Sequence, residues 1–212
     1  MHYKLYWHPG SSSLAPMALL EEIGANYEAI LVDLEAGENF ESEYLRIHPY
    51  GRVPALELPD GSSVFESAGL VLHLADQATD GRLVPGVGEA DRARCYQWLF
   101  FLADTIYPSY NRLAHPERYV ADDSAQDLIK ENAMALLTEQ WDVLEKRLAE
   151  RRWLLGDRFS CADIYLVMVA TWDFAPESFA ARCPNVIRVA HAAAQRPAVQ
   201  YALERHTTPL PR

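Results

Sequence analysis

Lys4-Leu5-Tyr6-Trp7-His8-Pro9-Gly10-Ser11-Ser12-Ser13 is the stretch that decides the fold. Lys4–Trp7 has the apolar and aromatic make-up of a strand. His8-Pro9-Gly10 and the three serines are turn chemistry. Met17, Leu19, Leu20 and Ile23 then follow at helical spacing until Gly24. A strand therefore enters a helix through a serine-rich turn. Serine is a common helix cap. The same place also exposes free backbone N–H groups and a partial positive charge, which suits an anion such as a sulfur anion carried in by a ligand.

Working outward, Tyr27–Val32 reads as a second strand, and a strand–helix–strand unit favours a parallel pair with a right-handed crossover. A short polar helix over 41–47 is cut off by His48-Pro49. Pro54–Leu58 and Ser63–Phe65 flank Pro59-Asp60-Gly61-Ser62, the pattern of a hairpin. A helix with Ala68, Leu70, Val71, Leu72, Leu74 and Ala75 follows, giving the order β-α-β-α-β-β-α. Gly81 to Gly88, with Pro85, punctuates the chain.

Beyond it no strand pattern appears. Helical spacing runs over 89–113 and again over 124–152, where Leu137, Trp141, Leu144 and Leu148 step by four, three and four. Ile164–Trp172 is nearly all apolar and predicts a helix buried on every side. Shorter helices are expected over 185–195 and 198–205. The fold class is an α/β domain over 1–80 joined to an all-α domain over 89–212.

Half of the 212 residues are hydrophobic and the formal net charge is −11. An acidic chain excludes nucleic acid and an anionic membrane surface as expected partners. Cys95, Cys161 and Cys183 are too few and too scattered for a disulfide framework or a zinc site. His8, His73 and His115 lack metal-ligand spacing, so no metal and no function is assigned to them. No leader-like segment or long apolar run occurs, and a cytoplasmic protein is the expectation.

Two further motifs carry chemistry. In Gly51-Arg52-Val53-Pro54-Ala55-Leu56, proline at a strand entry cannot donate to the ladder. A cis Val53–Pro54 bond would turn the Val53 backbone towards a ligand, which could pair with it like one more strand. The null is an edge-strand proline with nothing bound. Glu66-Ser67 opens the helix after the hairpin. Free N–H groups and a hydroxyl suit a carboxylate, and Glu66 suits an ammonium. Together they describe a clamp for an amino-acid head group, against the plainer reading of a cap with an acidic first turn. Ser160-x-x-Asp163 is read as a capping box and not as catalytic.

These motifs, in this order, resemble the glutathione transferase superfamily. The carriers are Pro9-Gly10-Ser11-Ser12-Ser13, His48-Pro49-Tyr50-Gly51-Arg52-Val53-Pro54-Ala55-Leu56, Val64-Phe65-Glu66-Ser67, Phe159-Ser160-Cys161-Ala162-Asp163-Ile164 and Arg196-Pro197-Ala198-Val199. The resemblance implies a thioredoxin-like first domain, a helical second domain and glutathione as co-substrate. It implies catalytic roles for Ser11, which matches the serine of the theta- and delta-like classes, and Ser12, which stands where the bacterial beta class has cysteine. Ser13, Asn39, Arg52, Val53, Pro54, Glu66 and Ser67 would bind glutathione, with Asn39 and Arg52 near the glycyl carboxylate. His48 replaces the usual asparagine and is read as structural. Tyr107 stands where the beta class has histidine. With Tyr110 and Trp172, and Phe174 as a further candidate, it would wall the pocket of a small hydrophobic electrophile. A homodimer through the 89–113 helix is implied, with Asp104 reaching across to the partner. Isomerisation, dehalogenation or peroxide reduction would begin from the same thiolate. A non-catalytic glutathione-binding or interaction module on the same fold is the rival from another class.

Overall fold

The computed structural model describes residues 2–78, 80 and 82–211. Gly81, at the head of the expected break, and the outermost residues Met1 and Arg212 of the two expected domains lie outside the described residues, as does Thr79. Strand β1 (His2–Trp7) buries alternate residues, Tyr3, Leu5 and Trp7, the period of a strand with one covered face. The serine turn leads into α1 (Leu14–Glu22), which ends at Gly24 with φ +63°. Strand β2 (Asn26–Leu31) pairs parallel with β1, Leu5 beside Ala29. Val32 falls just outside the ladder but still donates to the Trp7 carbonyl at 2.9 Å.

The helix expected over 41–47 is a single turn, α2 (Ser42–Leu45). The Arg46 and Ile47 N–H groups bond carbonyls three residues back, Ile47 to Tyr44 at 2.8 Å. That tightening ends a helix before His48-Pro49. Strands β3 (Ala55–Glu57) and β4 (Ser63–Phe65) form the expected hairpin. Asp60 Oδ1 accepts from the Ser62 N–H at 2.9 Å, and Gly61 supplies φ +85°. The sheet order is β2-β1-β3-β4, with β3 antiparallel to both neighbours. α3 (Ser67–Asp76) packs beside α1. This is the thioredoxin-like arrangement.

The helical half departs from its pattern at one place. The helix expected over 89–113 is α4 (Ala90–Phe100), a wider π-helical turn (Phe101–Ile106) and α5 (Tyr107–Ala114). Pro108 explains the break. It has no N–H for the Asp104 carbonyl, and its ring would clash with that carbonyl in a regular helix. α6 (Asp123–Leu148) is capped by Asp122, which accepts from the Ser124 N–H at 2.9 Å. α8 (Pro176–Arg182) was not expected; Pro176 at its first turn and buried Phe179 are its only signals. α9 (Pro184–Ala194) and α10 (Pro197–His206) follow. Arg196, just before α10, grips Glu22 of α1 with two hydrogen bonds, one of 2.7 Å.

All ten residues of α7 (Cys161–Ala170) are buried, and α7 touches α1, α3, α4 and α9. The first N–H of α7, that of Cys161, donates to the Leu83 carbonyl at 2.7 Å, and the entry to the helix is tied by the Asp163 carboxylate. That carboxylate accepts from the Ser160 N–H at 2.9 Å, the Ser160 hydroxyl at 3.1 Å and the Leu154 N–H at 2.9 Å. Burial raises its pKa to about 6 against these bonds. Asp163→Ala should strand two buried N–H groups and cost about 2–6 kcal/mol. Urea unfolding measures it, and a loss under about 1 kcal/mol would remove Asp163 from its capping role.

Candidate functional site

Two adjoining cavities open where the sheet domain meets α5, with volumes of about 600 Å³ and 530 Å³. Ser12, Arg52, Val53 and Tyr107 line both. The larger adds Ser11, Asn39, Tyr110, Trp172 and Phe174. The smaller adds Pro54, Glu66 and Ser67. Every expected site residue but Ser13 therefore meets in one place.

The three serines divide the labour. The Ser11 hydroxyl donates to the His8 carbonyl at 2.7 Å and is hydrogen-bonded to the Ser13 hydroxyl. Ser13 is fully buried, receives the His8 N–H at 3.4 Å and lines neither cavity. Its hydrogen bonds hold the turn from beneath. Ser12 points the other way. It accepts from the Tyr107 hydroxyl at 3.0 Å, and its only acceptor among the described residues is the Val53 carbonyl at 3.5 Å, the outer limit of a bond. Its backbone N–H, two residues before α1, finds no acceptor among the described residues. Ser12 thus has a weakly held hydroxyl proton, which an anion can take over from the Val53 carbonyl, and a free N–H at a helix N-terminus.

The loop that carries Val53 is held from below. The Asn39 amide donates to the Gly51 carbonyl at 2.8 Å and the Tyr44 hydroxyl to the Arg52 carbonyl at 2.6 Å. Gly51 sits at φ +61°, and a Cβ there would lie 2.8 Å from the Asn39 carbonyl. The Val53–Pro54 bond is cis and the ladder stops at Ala55, so the Val53 backbone stands outside the sheet. His48 is buried, accepts from the Tyr50 N–H at 3.3 Å and stacks on Phe65. Burial lowers its pKa. His48 also lines the smaller of the two cavities.

At α3 the geometry differs from the simple cap. Glu66 is the N-cap, with φ +75°, a strained conformation for a residue with a Cβ and one that gathers at functional sites. The Ser67 hydroxyl turns inward and bonds the buried Tyr165 hydroxyl of α7 at 2.8 Å. Ser67 is a joint between the two halves as well as a wall of the smaller cavity. Asp104, on the π-helical turn forced by Pro108, lines that same cavity from its own chain.

On the larger cavity, Tyr107 and Trp172 rings lie 4.7 Å apart. Trp172 donates to the Gly10 carbonyl at 3.1 Å, and Tyr110 donates to Asp173 at 3.0 Å while receiving from Trp141. Burial raises the pKa of Tyr107 and Tyr110, so both stay protonated donors. Sequence reasoning missed Asn111, Arg118 and Phe40 and set His115 aside; all four line this cavity. Only the short turn opened by Pro116 (Pro116–Arg118) hinted that the chain bends back there. Among the described residues no group of three or more His, Cys, Asp or Glu is placed to hold a metal ion, and no helix is long and apolar enough to cross a membrane.

Comparison with known proteins bears on this geometry. Residues 1–76 match the family model "Glutathione S-transferase, N-terminal domain", and residues 113–197 match the corresponding C-terminal domain. Glutathione S-transferase GstA of Escherichia coli O157:H7 is 30% identical over 94% of this chain and 96% of its own length. Disulfide-bond oxidoreductase YfcG of Escherichia coli (strain K12) is 32% identical over 76% of this chain and 75% of its own. Among solved structures, a sphingomonad glutathione S-transferase complexed with glutathione is 34% identical, with a TM-score of 0.81 over 96% of this chain and 98% of that one. The thioredoxin-like sheet, the helical second half and these matches together place the chain in the glutathione transferase superfamily.

Proposed function

We propose that this protein binds glutathione in the smaller cavity and adds its thiolate to an electrophile held in the larger one. The observation that carries the reading is Ser12, which lines both cavities with a hydroxyl proton held only by the 3.5 Å contact to Val53 and a backbone N–H without an acceptor among the described residues, just before α1. The γ-glutamyl head would lie at Glu66 and the N-terminus of α3, the cysteinyl backbone at Val53, and the glycyl carboxylate at the wall shared with the larger cavity, on Arg52 and towards Asn39. Residues 1–80 would form the glutathione-binding domain and 89–212 the domain that supplies the electrophile wall. The thiolate is common to conjugation, isomerisation, dehalogenation and peroxide reduction.

A free thiol with pKa about 8.5 is roughly 3% ionised at pH 7. Lowering it by about two units requires about 2.7 kcal/mol of preference for the thiolate. One charge-assisted hydrogen bond from Ser12 and the helix end supply most of that. The Tyr107 hydroxyl donating to Ser12 polarises it and strengthens the bond that Ser12 gives. Ser11, whose proton is engaged by the His8 carbonyl, plays the lesser part.

Ser12→Ala should raise the pKa of bound glutathione by about one to two units, matching roughly 1.5–3 kcal/mol for one charge-assisted bond. The pH profile of kcat/KM should shift upward with it. A shift in Ser11→Ala and none in Ser12→Ala would transfer the role to Ser11.

The reading includes a homodimer. Phe100 and Val143 are exposed and, with Trp98 and Phe101, line one hollow between α4 and α6, an apolar face suited to a second copy. Sedimentation equilibrium at micromolar concentration should give twice the 24.0 kDa of one chain. A single-chain mass would reject the dimer.

A further inference from the structure

The two cavities differ in charge. The smaller is lined by Glu66 and Asp104 as well as by Arg52 and Arg118, a mixture that suits a zwitterion. The larger is lined by Arg52, Arg118 and His115, and by no Asp or Glu among the described residues. In a chain of net charge −11 this wall stands out, with Arg52 and Arg118 as its permanent cations. With Arg52 facing the glycyl carboxylate, Arg118 and His115 remain for something else. Glu117 is their nearest acid, 3.4 Å from His115 Nδ1 and 3.8 Å from Arg118 Nε. It is exposed and does not line the cavity; it pairs with both from the solvent side, an exposed pairing that a ligand anion can exchange at little cost. The terminal guanidinium nitrogens of Arg118 meet no acid among the described residues. Burial, and then the neighbouring Arg118, hold the His115 pKa low, so His115 offers a carboxylate a neutral ring N–H beside the permanent cation Arg118. Towards Trp172 and Phe174 the wall is aromatic.

We propose that the electrophile is an aromatic acid, its ring against Trp172, Tyr107 and Phe174 and its carboxylate on Arg118 and His115. This rests on the conjugation reading above and names its substrate class. A planar guanidinium recognises a carboxylate with paired hydrogen bonds, and aromatic walls recognise the ring. For an activated aryl halide the step is a substitution. The thiolate sulfur bonds to the ring carbon, the ring holds the electron pair transiently, and chloride leaves with the C–Cl pair. The thiol proton has already gone to solvent.

The test uses two probes with the same reacting carbon, 4-chloro-3,5-dinitrobenzoate and 1-chloro-2,6-dinitrobenzene. Their kcat/KM values are each divided by the uncatalysed rate. The wild-type protein should favour the benzoate by about tenfold or more, as expected for one charge-assisted contact. Arg118→Gln should bring the ratio close to one, and Arg118→Lys should restore part of it. A wild-type ratio near one would overturn the proposal. So would an unchanged ratio in Arg118→Gln with a raised KM for glutathione, which would give Arg118 to the tripeptide. Calorimetry of the glutathione-loaded protein with 3,5-dinitrobenzoate and 1,3-dinitrobenzene separates the two readings. Tighter binding of the anion without turnover of either aryl halide would support the acid site and reject conjugation of these halides. Equal binding would reject the acid site itself.

Discussion

Burying a helix on every side leaves its first N–H groups no water to bond, so its start must be satisfied from within. α7 sets that condition for this protein. Its ten residues have no exposed face; the Cys161 N–H donates to the Leu83 carbonyl at 2.7 Å and the Asp163 N–H to the Ser160 carbonyl at 3.1 Å, while the Asp163 carboxylate takes the N–H of the N-cap Ser160 and of Leu154 in the preceding loop. Around this fixed axis stand α1 and α3 of the sheet domain and α4 and α9 of the helical one. The Tyr165 hydroxyl of α7 reaches Ser67 at the head of α3. The two halves are therefore positioned against one shared rod.

The site is a consequence of that positioning. α1 presents its N-terminus to the seam, and α5 brings Tyr107 against Ser12. Neither half alone forms the junction between the cavities, because Ser12 comes from one and Tyr107 from the other. Pro108 contributes by what it prevents. The regular helix fails around it, and the wider turn that results sets Asp104 on the smaller cavity. The strained Glu66 backbone lies across from it on the same cavity. The charge of each cavity then follows from a few side chains, acidic and basic in one, only basic in the other.

Much of this was legible in the residues. The alternation of β1, the turn chemistry of Pro59-Asp60-Gly61-Ser62 and the spacing of Leu137, Trp141, Leu144 and Leu148 report local periods, and local periods survive folding. The Ser160–Asp163 box was readable because both partners lie within one turn. The break at Pro108 was overlooked because apolar spacing continues through it. α8 offered too few residues for a period to emerge. Ser11 and Ser12 could not be ranked from sequence, since what separates them is the direction each hydroxyl takes, towards His8 or towards Tyr107. Arg118 was overlooked and His115 set aside for another reason: a polar side chain reads as solvated surface until the fold shows which wall it stands in.

The central claim is that Ser12, at the joint of the two cavities, holds the sulfur. A crystal structure of the protein with bound glutathione tests it most directly. The account predicts the tripeptide in the smaller cavity, its cysteinyl backbone paired with Val53 and its sulfur within hydrogen-bond distance of Ser12 Oγ and the Ser12 N–H. A sulfur nearest to Ser11, or a tripeptide lying in the larger cavity against Trp172, would contradict it.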